Sequence, residues 1–333
     1  MSRILITGGA GYVGSLLTIN LERLGHEVLI YDTCFYGKDH IQTSAKLKLI
    51  EGDIRDKNKF ESAVQGCDIV IHLACISNDP SFALNEGLSK TINFDCFEDL
   101  VKISKKSKVK RFIYASSSSV YGFSDHDNVT EEHPLVPLTL YNKFKGMCEP
   151  ILKKYTDEKF IGTIVRPATI CGYAPHCRLD LSVNILTNFA VNTKKILVLG
   201  GGEQKRPNLH VADMCRAYEF FLNSEANKIN NEIFNVSYEN KKIIELAHIV
   251  KKNVEKFFTY DNVEIEIKNE TADKRSYHVN SDKIKRVLGF TPKHNIDDAV
   301  ISLCEAFKNN KLPNSLTDPK YINVATLKKA NAL

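Results

Sequence analysis

Through the first 115 residues, short apolar runs alternate with longer stretches in which apolar residues recur every three or four positions. Arg3 to Thr7, His26 to Tyr31, Leu47 to Glu51 and Ile69 to Leu73 are runs of the first kind. They are too short for helices and rich in Ile, Leu and Val, the pattern of strands buried on both faces of a parallel sheet. Between the first two, Leu16, Leu17, Leu21 and Leu24 fall on one side of a helix that Gly25 ends. Runs at Arg111 to Ala115, Phe160 to Arg166 and Ile233 to Val236 continue the series. A helix over Ser89 to Lys106 carries a broad apolar stripe, and another from Leu140 to about Tyr155 contains Pro150, which should kink it. Strand and helix in alternation predict an α/β chain on a doubly wound parallel sheet.

Beyond Arg166-Pro167 the pattern is less regular. Cys171 to Pro175 reads as a loop, Leu181 to Val191 as a helix and Ile196 to Leu199 as a short strand. Gly200-Gly201-Gly202 then reads as a hairpin turn, since no helix opens behind it as a phosphate cradle requires. Asp213 is placed to cap a helix from Met214 to Leu222. Ile244 to Phe257, Val263 to Ile267, Asp282 to Leu288 and Asp297 to Phe307 complete a smaller α/β lobe. The expected division is residues 1–172 and 205–240 in the nucleotide-binding part, and 173–204 and 241–311 in the substrate lobe. Residues 312–333, polar and irregular, are expected to form a peripheral tail.

Composition narrows the function classes. The net charge of +5 is spread along the chain, with only short clusters such as Lys105-Lys106, which speaks against a nucleic-acid partner. Nine scattered cysteines with no C-x-x-C pair predict reduced thiols and no metal site. Met1-Ser2-Arg3 leads straight into an apolar strand, no run is long enough to span a bilayer, and the expected location is the cytoplasm without membrane contact.

The candidate chemistry begins directly after the first strand, at Gly8, Gly11 and Gly14 of Thr7-Gly8-Gly9-Ala10-Gly11-Tyr12-Val13-Gly14. Small residues there let backbone N–H groups approach a pyrophosphate at a helix N-terminus, where the helix dipole favours negative charge. Asp32 ends the second strand at the offset from which a carboxylate accepts both adenosine ribose hydroxyls and repels a 2′-phosphate. That predicts NAD rather than NADP. Asp53 follows the third strand and fits either the adenine amine or a helix cap near Asn58. A lone His72 reads as packed, while Ser77 and Asn78 fall where a strand end opens on a ligand crevice.

The proton chemistry is expected at Tyr141 and Lys145, four apart and so on one helix face. A nearby ammonium favours the phenolate, making the tyrosine a general base nearer neutral pH, with Ser117 bonding the same substrate oxygen. Tyr155 and Tyr238 also have lysine four residues on, so the spacing alone is weak. Only Tyr141 follows an apolar strand ending in hydroxyl residues, Ser116 to Ser119.

With these motifs, His72-Leu73-Ala74, Val120-Tyr121-Gly122, Arg206 to Asp213 and Leu288-Gly289-Phe290-Thr291-Pro292, the chain from Ile4 to about Phe307 resembles the extended short-chain dehydrogenase/reductase family, specifically its nucleotide-sugar epimerases and dehydratases. The resemblance implies a Rossmann fold with a smaller substrate-binding lobe, a bound NAD and a nucleotide-diphosphate sugar as partner. It adds Tyr12, Val13, Ile54, Leu73, Ala74 and Pro167 to the cofactor contacts. Asn184, Arg206 and Arg275 would hold the diphosphate, with Ser77, Asn78, Ser118 and Ser119 near the sugar. A homodimer through the Ser89–Lys106 and Tyr141–Tyr155 helices is also implied. Dehydratases of the family usually carry an Asp-Glu pair where Ser118 and Ser119 stand, and a hydroxyl is no acid or base near neutral pH. Cys171 replaces the aromatic usual before Gly172, which leaves the site wall there open. The expected reaction is 4-epimerisation through a 4-keto sugar; C4 dehydrogenation or 4-keto reduction by the same residues is the alternative, and a non-catalytic dinucleotide sensor a third.

Overall fold

The computed structural model describes residues 1–124, 126, 128–269, 276 and 278–329. Its strands are β1 (Arg3–Thr7), β2 (Glu27–Asp32), β3 (Leu47–Glu51), β4 (Ile69–His72), β5 (Arg111–Ala115), β6 (Ile161–Pro167), β7 (Thr169–Cys171), β8 (Lys195–Leu199), β9 (Lys205–His210), β10 (Glu232–Val236), β11 (Glu239–Lys242) and β12 (Glu264–Lys268). Seven form one sheet in the order β10-β6-β5-β4-β1-β2-β3, with every pair parallel. This is the Rossmann order, which reverses between β1 and β4 and leaves a crevice at the strand carboxyl ends.

Alternate strand residues feed two cores, as the period of two requires. Ile4, Ile6, Val28, Ile30, Ile69 and Ile71 face helices Tyr12–Arg23 and Val211–Asn223 through Leu17, Leu21 and Phe221. Leu5, Leu29, Val70 and Phe112 face Phe60, Leu100 and Leu152 of helices Lys57–Val64, Phe97–Lys106 and Leu140–Tyr155. The second lobe has its own core, in which Val183, Leu246, Val250 and Val300 from three helices cover Ile196 and Val198 of β8.

Several sequence expectations are corrected here. Gly200–Gly202 is not a hairpin turn. β8 pairs in parallel with β12, whereas β9 pairs with β7 and β11, so the three glycines, all at positive φ, carry the chain from one small sheet to another. Asp213 does not cap its helix; His210 does, through Nδ1 and the Ala212 N–H, and the Asp213 carboxylate instead accepts from the Lys293 and His294 N–H groups of the second lobe. The stretch read as one helix from Ser89 is divided by a π turn at Thr91–Asp95. There Asn93 exchanges two hydrogen bonds with the Ile76 backbone and pins the loop after β4. The helix at Tyr141 runs through Pro150 to Tyr155. The segment from Leu312 is not peripheral, since Leu312, Tyr321 and Leu327 are buried and Asn323 reaches the crevice. No helix of the described residues is long and apolar enough to cross a membrane.

Candidate active site

The crevice contains a cavity of about 330 Å³ lined by the glycine turn, the ends of β2 to β6 and the Tyr141 helix. At one end Gly8 has φ +73°, and a Cβ there would lie 2.6 Å from the Ala74 nitrogen; a Cβ on Gly14 would lie 2.5 Å from the Gly8 carbonyl oxygen. Nothing larger than glycine fits either place. Gly11 precedes the Tyr12 helix and no side chain caps it, so the first-turn N–H groups are left for a ligand. Asp32 accepts from the Ala10 and Cys34 N–H groups at 3.0 and 2.8 Å. Burial pushes its carboxyl above the usual range, partly offset by those bonds.

The cavity also brings in Tyr12, Val13, Asp53, Ile54, Leu73, Ala74 and Pro167. Tyr12 is fixed by its hydroxyl, which donates to the Gly172 carbonyl and accepts from Asn184 Nδ2. Asp53 is not a helix cap, a role taken by Asp56; its carboxylate is forked by Arg55, whose Nη2 lies 2.6 Å away. This open glycine cradle, uncapped helix end and carboxylate at the end of β2 fit a dinucleotide.

At the other end Tyr141, Lys145, Ser117, Ser118 and Ser119 line the same cavity with Ser77 and Asn78. Thr139 caps the Tyr141 helix by accepting from the Asn142 N–H and donates its own hydroxyl to Asp79, which sets the rotation of the first turn. The buried Lys145 ammonium donates to the Ala115 carbonyl at 2.7 Å, at the end of β5. Ser119 Oγ donates to Asn142 Oδ1 at 2.6 Å and meets Ser117 Oγ at 2.7 Å. With the Ser119 proton committed to Asn142, Ser117 donates to Ser119 and turns a lone pair elsewhere. His72 is buried, bonded through Nδ1 to Thr7 Oγ1 and held neutral, its pKa pushed down to about 3 by burial and the Lys145 charge.

Two expected substrate residues lie elsewhere. Asn184 is fully buried and spends its amide on the Gly172 N–H, the Tyr12 hydroxyl and the Arg178 carbonyl, so it props the wall and does not line the cavity. Arg206, on β9, is also outside the cavity lining and donates to the Lys205 carbonyl. Arg275 lies outside the described residues. Cys171 is buried in the second-lobe core and is not part of the cavity lining. Conversely, Tyr36, His176, Arg178 and Asn323 line the cavity although sequence reasoning gave them no role. For Arg178 the signal was the neighbouring Asp180; for Asn323 there was none, since its partner Ser77 is 246 positions away.

The parallel sheet and its cradle define a dinucleotide-binding enzyme of the extended short-chain type. Residues 4–237 match the model of the NAD dependent epimerase/dehydratase family, and the chain belongs to that family. Its cofactor is accordingly NAD. The chain is 31% identical over 258 residues, 73% of its length and 77% of the relative's, to a UDP-N-acetyl-alpha-D-glucosaminuronate decarboxylase of Bacillus cytotoxicus. It is 26% identical to a UDP-glucose 4-epimerase of Lactobacillus helveticus, over 92% of this chain and 98% of that one. Among solved structures, MoeE5 in complex with UDP-glucuronic acid and NAD superposes with a TM-score of 0.79 at 21% identity, covering 92% of this chain and 99% of that one.

Proposed function

We propose that the protein is an NAD-dependent nucleotide-sugar 4-epimerase that oxidises C4 of the sugar and reduces it again on the opposite face. The observation that carries the reading is the distribution of acids. Among the described residues, the carboxylates lining the cavity are Asp32 and Asp53, at the ends of β2 and β3 on the far side of β1 from Tyr141. Around Tyr141 stand hydroxyls, an ammonium and a guanidinium, which suit proton and hydride exchange at one carbinol carbon but offer no carboxyl to expel water.

Gly8, Gly11, Gly14 and the Tyr12 helix end hold the pyrophosphate in this account, and Asp32 the adenosine ribose. Bound NAD supplies the hydride acceptor that later returns the hydride. Tyr141 takes the C4 hydroxyl proton and returns it to O4 after the 4-keto sugar has turned its other face to the nicotinamide, and Lys145 stabilises its phenolate. Ser117, which meets Ser119 Oγ at 2.7 Å, turns its hydroxyl proton to the same oxygen as that oxygen loses its own to Tyr141. We also propose a homodimer through the Phe97–Lys106 and Leu140–Tyr155 helices. Phe97, Leu100 and Val101 are used by the chain's own core and Ile103 and Ile151 pack partly against it, while Met147 is exposed on the same pair of helices. Incubation of the NAD-loaded protein with UDP-, dTDP-, GDP- and CDP-hexoses and with UDP-glucuronate, followed by chromatography of the released sugars, tests the reaction. The expected product is the C4 epimer with no net NADH; a 4-keto-6-deoxy or a decarboxylated sugar overturns it.

A further inference from the structure

Arg178 lines the cavity at its sugar end. Its Nε donates to Asp180 Oδ1 at 2.9 Å, Nη2 to Oδ2 at 3.1 Å and Nη1 to Ser77 Oγ at 3.0 Å. A guanidinium carries five N–H donors. One N–H on each terminal nitrogen is therefore left without an acceptor among the described residues. The fork is held from three directions. Asp180 Oδ2 also accepts from Asn78 Nδ2 at 3.3 Å and from the Asn323 N–H at 3.2 Å, while Asn323 Nδ2 donates to the same Ser77 Oγ at 2.9 Å. The C-terminal helix Asn323–Lys329 thus ties the loop after β4 to the loop that carries Arg178.

The charge balance of this cluster is specific. Among the described residues, the cavity's basic side chains are Lys145, Arg178 and His176, and burial pushes His176 down to about 3, so it is neutral. Burial works against the Arg178 charge, but Asp180 outweighs it and the guanidinium stays protonated. Arg178 and Asp180 together are neutral and both nearly out of water. A sugar hydroxyl can accept the spare N–H groups with no change in net charge. A sugar carboxylate would place a second anion on a guanidinium already matched by Asp180, leaving one negative charge without a partner in a buried place.

We propose that Arg178, positioned by Asp180 and Asn323, binds sugar hydroxyls and makes the site select an uncharged hexosyl group over a hexuronyl one. The inference rests on the nucleotide-sugar reading above and extends it to the substrate class. Calorimetric titration of the NAD-loaded protein with UDP, UDP-glucose and UDP-glucuronate, and with the corresponding dTDP, GDP and CDP compounds, tests both without requiring turnover. The wild-type protein is expected to bind the glucosyl compound about tenfold or more tighter than the glucuronyl one, the size of a lost charged hydrogen bond. Arg178→Gln should remove the gain of UDP-glucose over UDP while leaving UDP itself unchanged. Arg178→Lys, which keeps the charge against Asp180 but not the fork, should remove most of the same gain and guards against misfolding of the first variant. Asp180→Asn frees the guanidinium and should turn the preference toward UDP-glucuronate. Wild-type preference for the glucuronyl compound, or an undiminished glucosyl gain in both Arg178 variants, overturns this inference alone. If no sugar nucleotide binds better than its parent diphosphate, the nucleotide-sugar reading itself falls.

Discussion

Glu149→Gln is the substitution whose cost follows most directly from the structure. Glu149 and Arg166 are both buried, with Nε to Oε1 at 3.0 Å and Nη2 to Oε2 at 2.6 Å. The same Oε1 accepts from Ser116 Oγ at 2.6 Å, next to Ser117. Arg166 Nη1 continues to the Tyr121 hydroxyl and the Glu131 carbonyl. Glutamine keeps the shape but leaves a buried guanidinium without its counter-charge, and removing one partner of such a pair costs about 3–5 kcal/mol. At ~2.1 cal/mol/K per residue, 333 residues give an unfolding entropy of about 0.7 kcal/mol/K, so Tm should fall by about 4–7 °C. Calorimetry of the NAD-free protein measures this. Glu149→Leu combined with Arg166→Met, which removes both charges, should recover most of the loss. A single variant melting within about 1 °C of wild type, or a double variant whose losses simply add, refutes the argument.

Asp32 should make NAD bind more tightly than NADP, by repelling a 2′-phosphate; equal or tighter NADP binding in a fluorescence titration contradicts this. Gly8→Ala forces alanine to φ +73° and drives its Cβ against the Ala74 backbone, so purified protein should retain at least about tenfold less NAD, read by mass spectrometry of the released cofactor. Wild-type NAD content in that variant would show that the turn is not the cradle. Light scattering at micromolar concentration should give a dimer mass, and a monomer mass removes the helix-pair interface from the account.

The seven-stranded sheet was legible because its inner strands are buried on both faces, where a short apolar run ended by glycine or an acid reads as a strand. Asp32 and the glycine turn could be read for the same reason: β1, turn, helix and β2 are consecutive, so their geometry is local. The small sheets were not legible. β8 and β9 are separated by five residues, three of them glycines, and look like a hairpin, which the long-range pairing of β8 with β12 and of β9 with β7 and β11 excludes. Asp213 has a cap residue's composition, but two N–H groups of the second lobe take its carboxylate. Asn184 illustrates the limit of reading a role from a motif, because its amide is spent on Tyr12, Gly172 and Arg178 beneath the cavity wall. Asn323 sits in a polar segment with no periodicity, and the tertiary bonds to Ser77 and Asp180 alone give it a place.

Turnover by Tyr141→Phe tests the central claim most directly, with the sugar nucleotide that the wild-type protein converts and with bound NAD quantified in each sample. Phenylalanine keeps the ring packed near Phe82 and removes the group that takes the C4 proton. The expected loss is about 10²- to 10⁴-fold in kcat, with substrate affinity little changed. Tyr155→Phe and Tyr238→Phe, which have the same lysine spacing but no place in the cavity lining, should keep near-normal rates. Near-normal turnover by Tyr141→Phe, or an equal loss in either folded, NAD-bound control, contradicts the assignment of the proton to Tyr141.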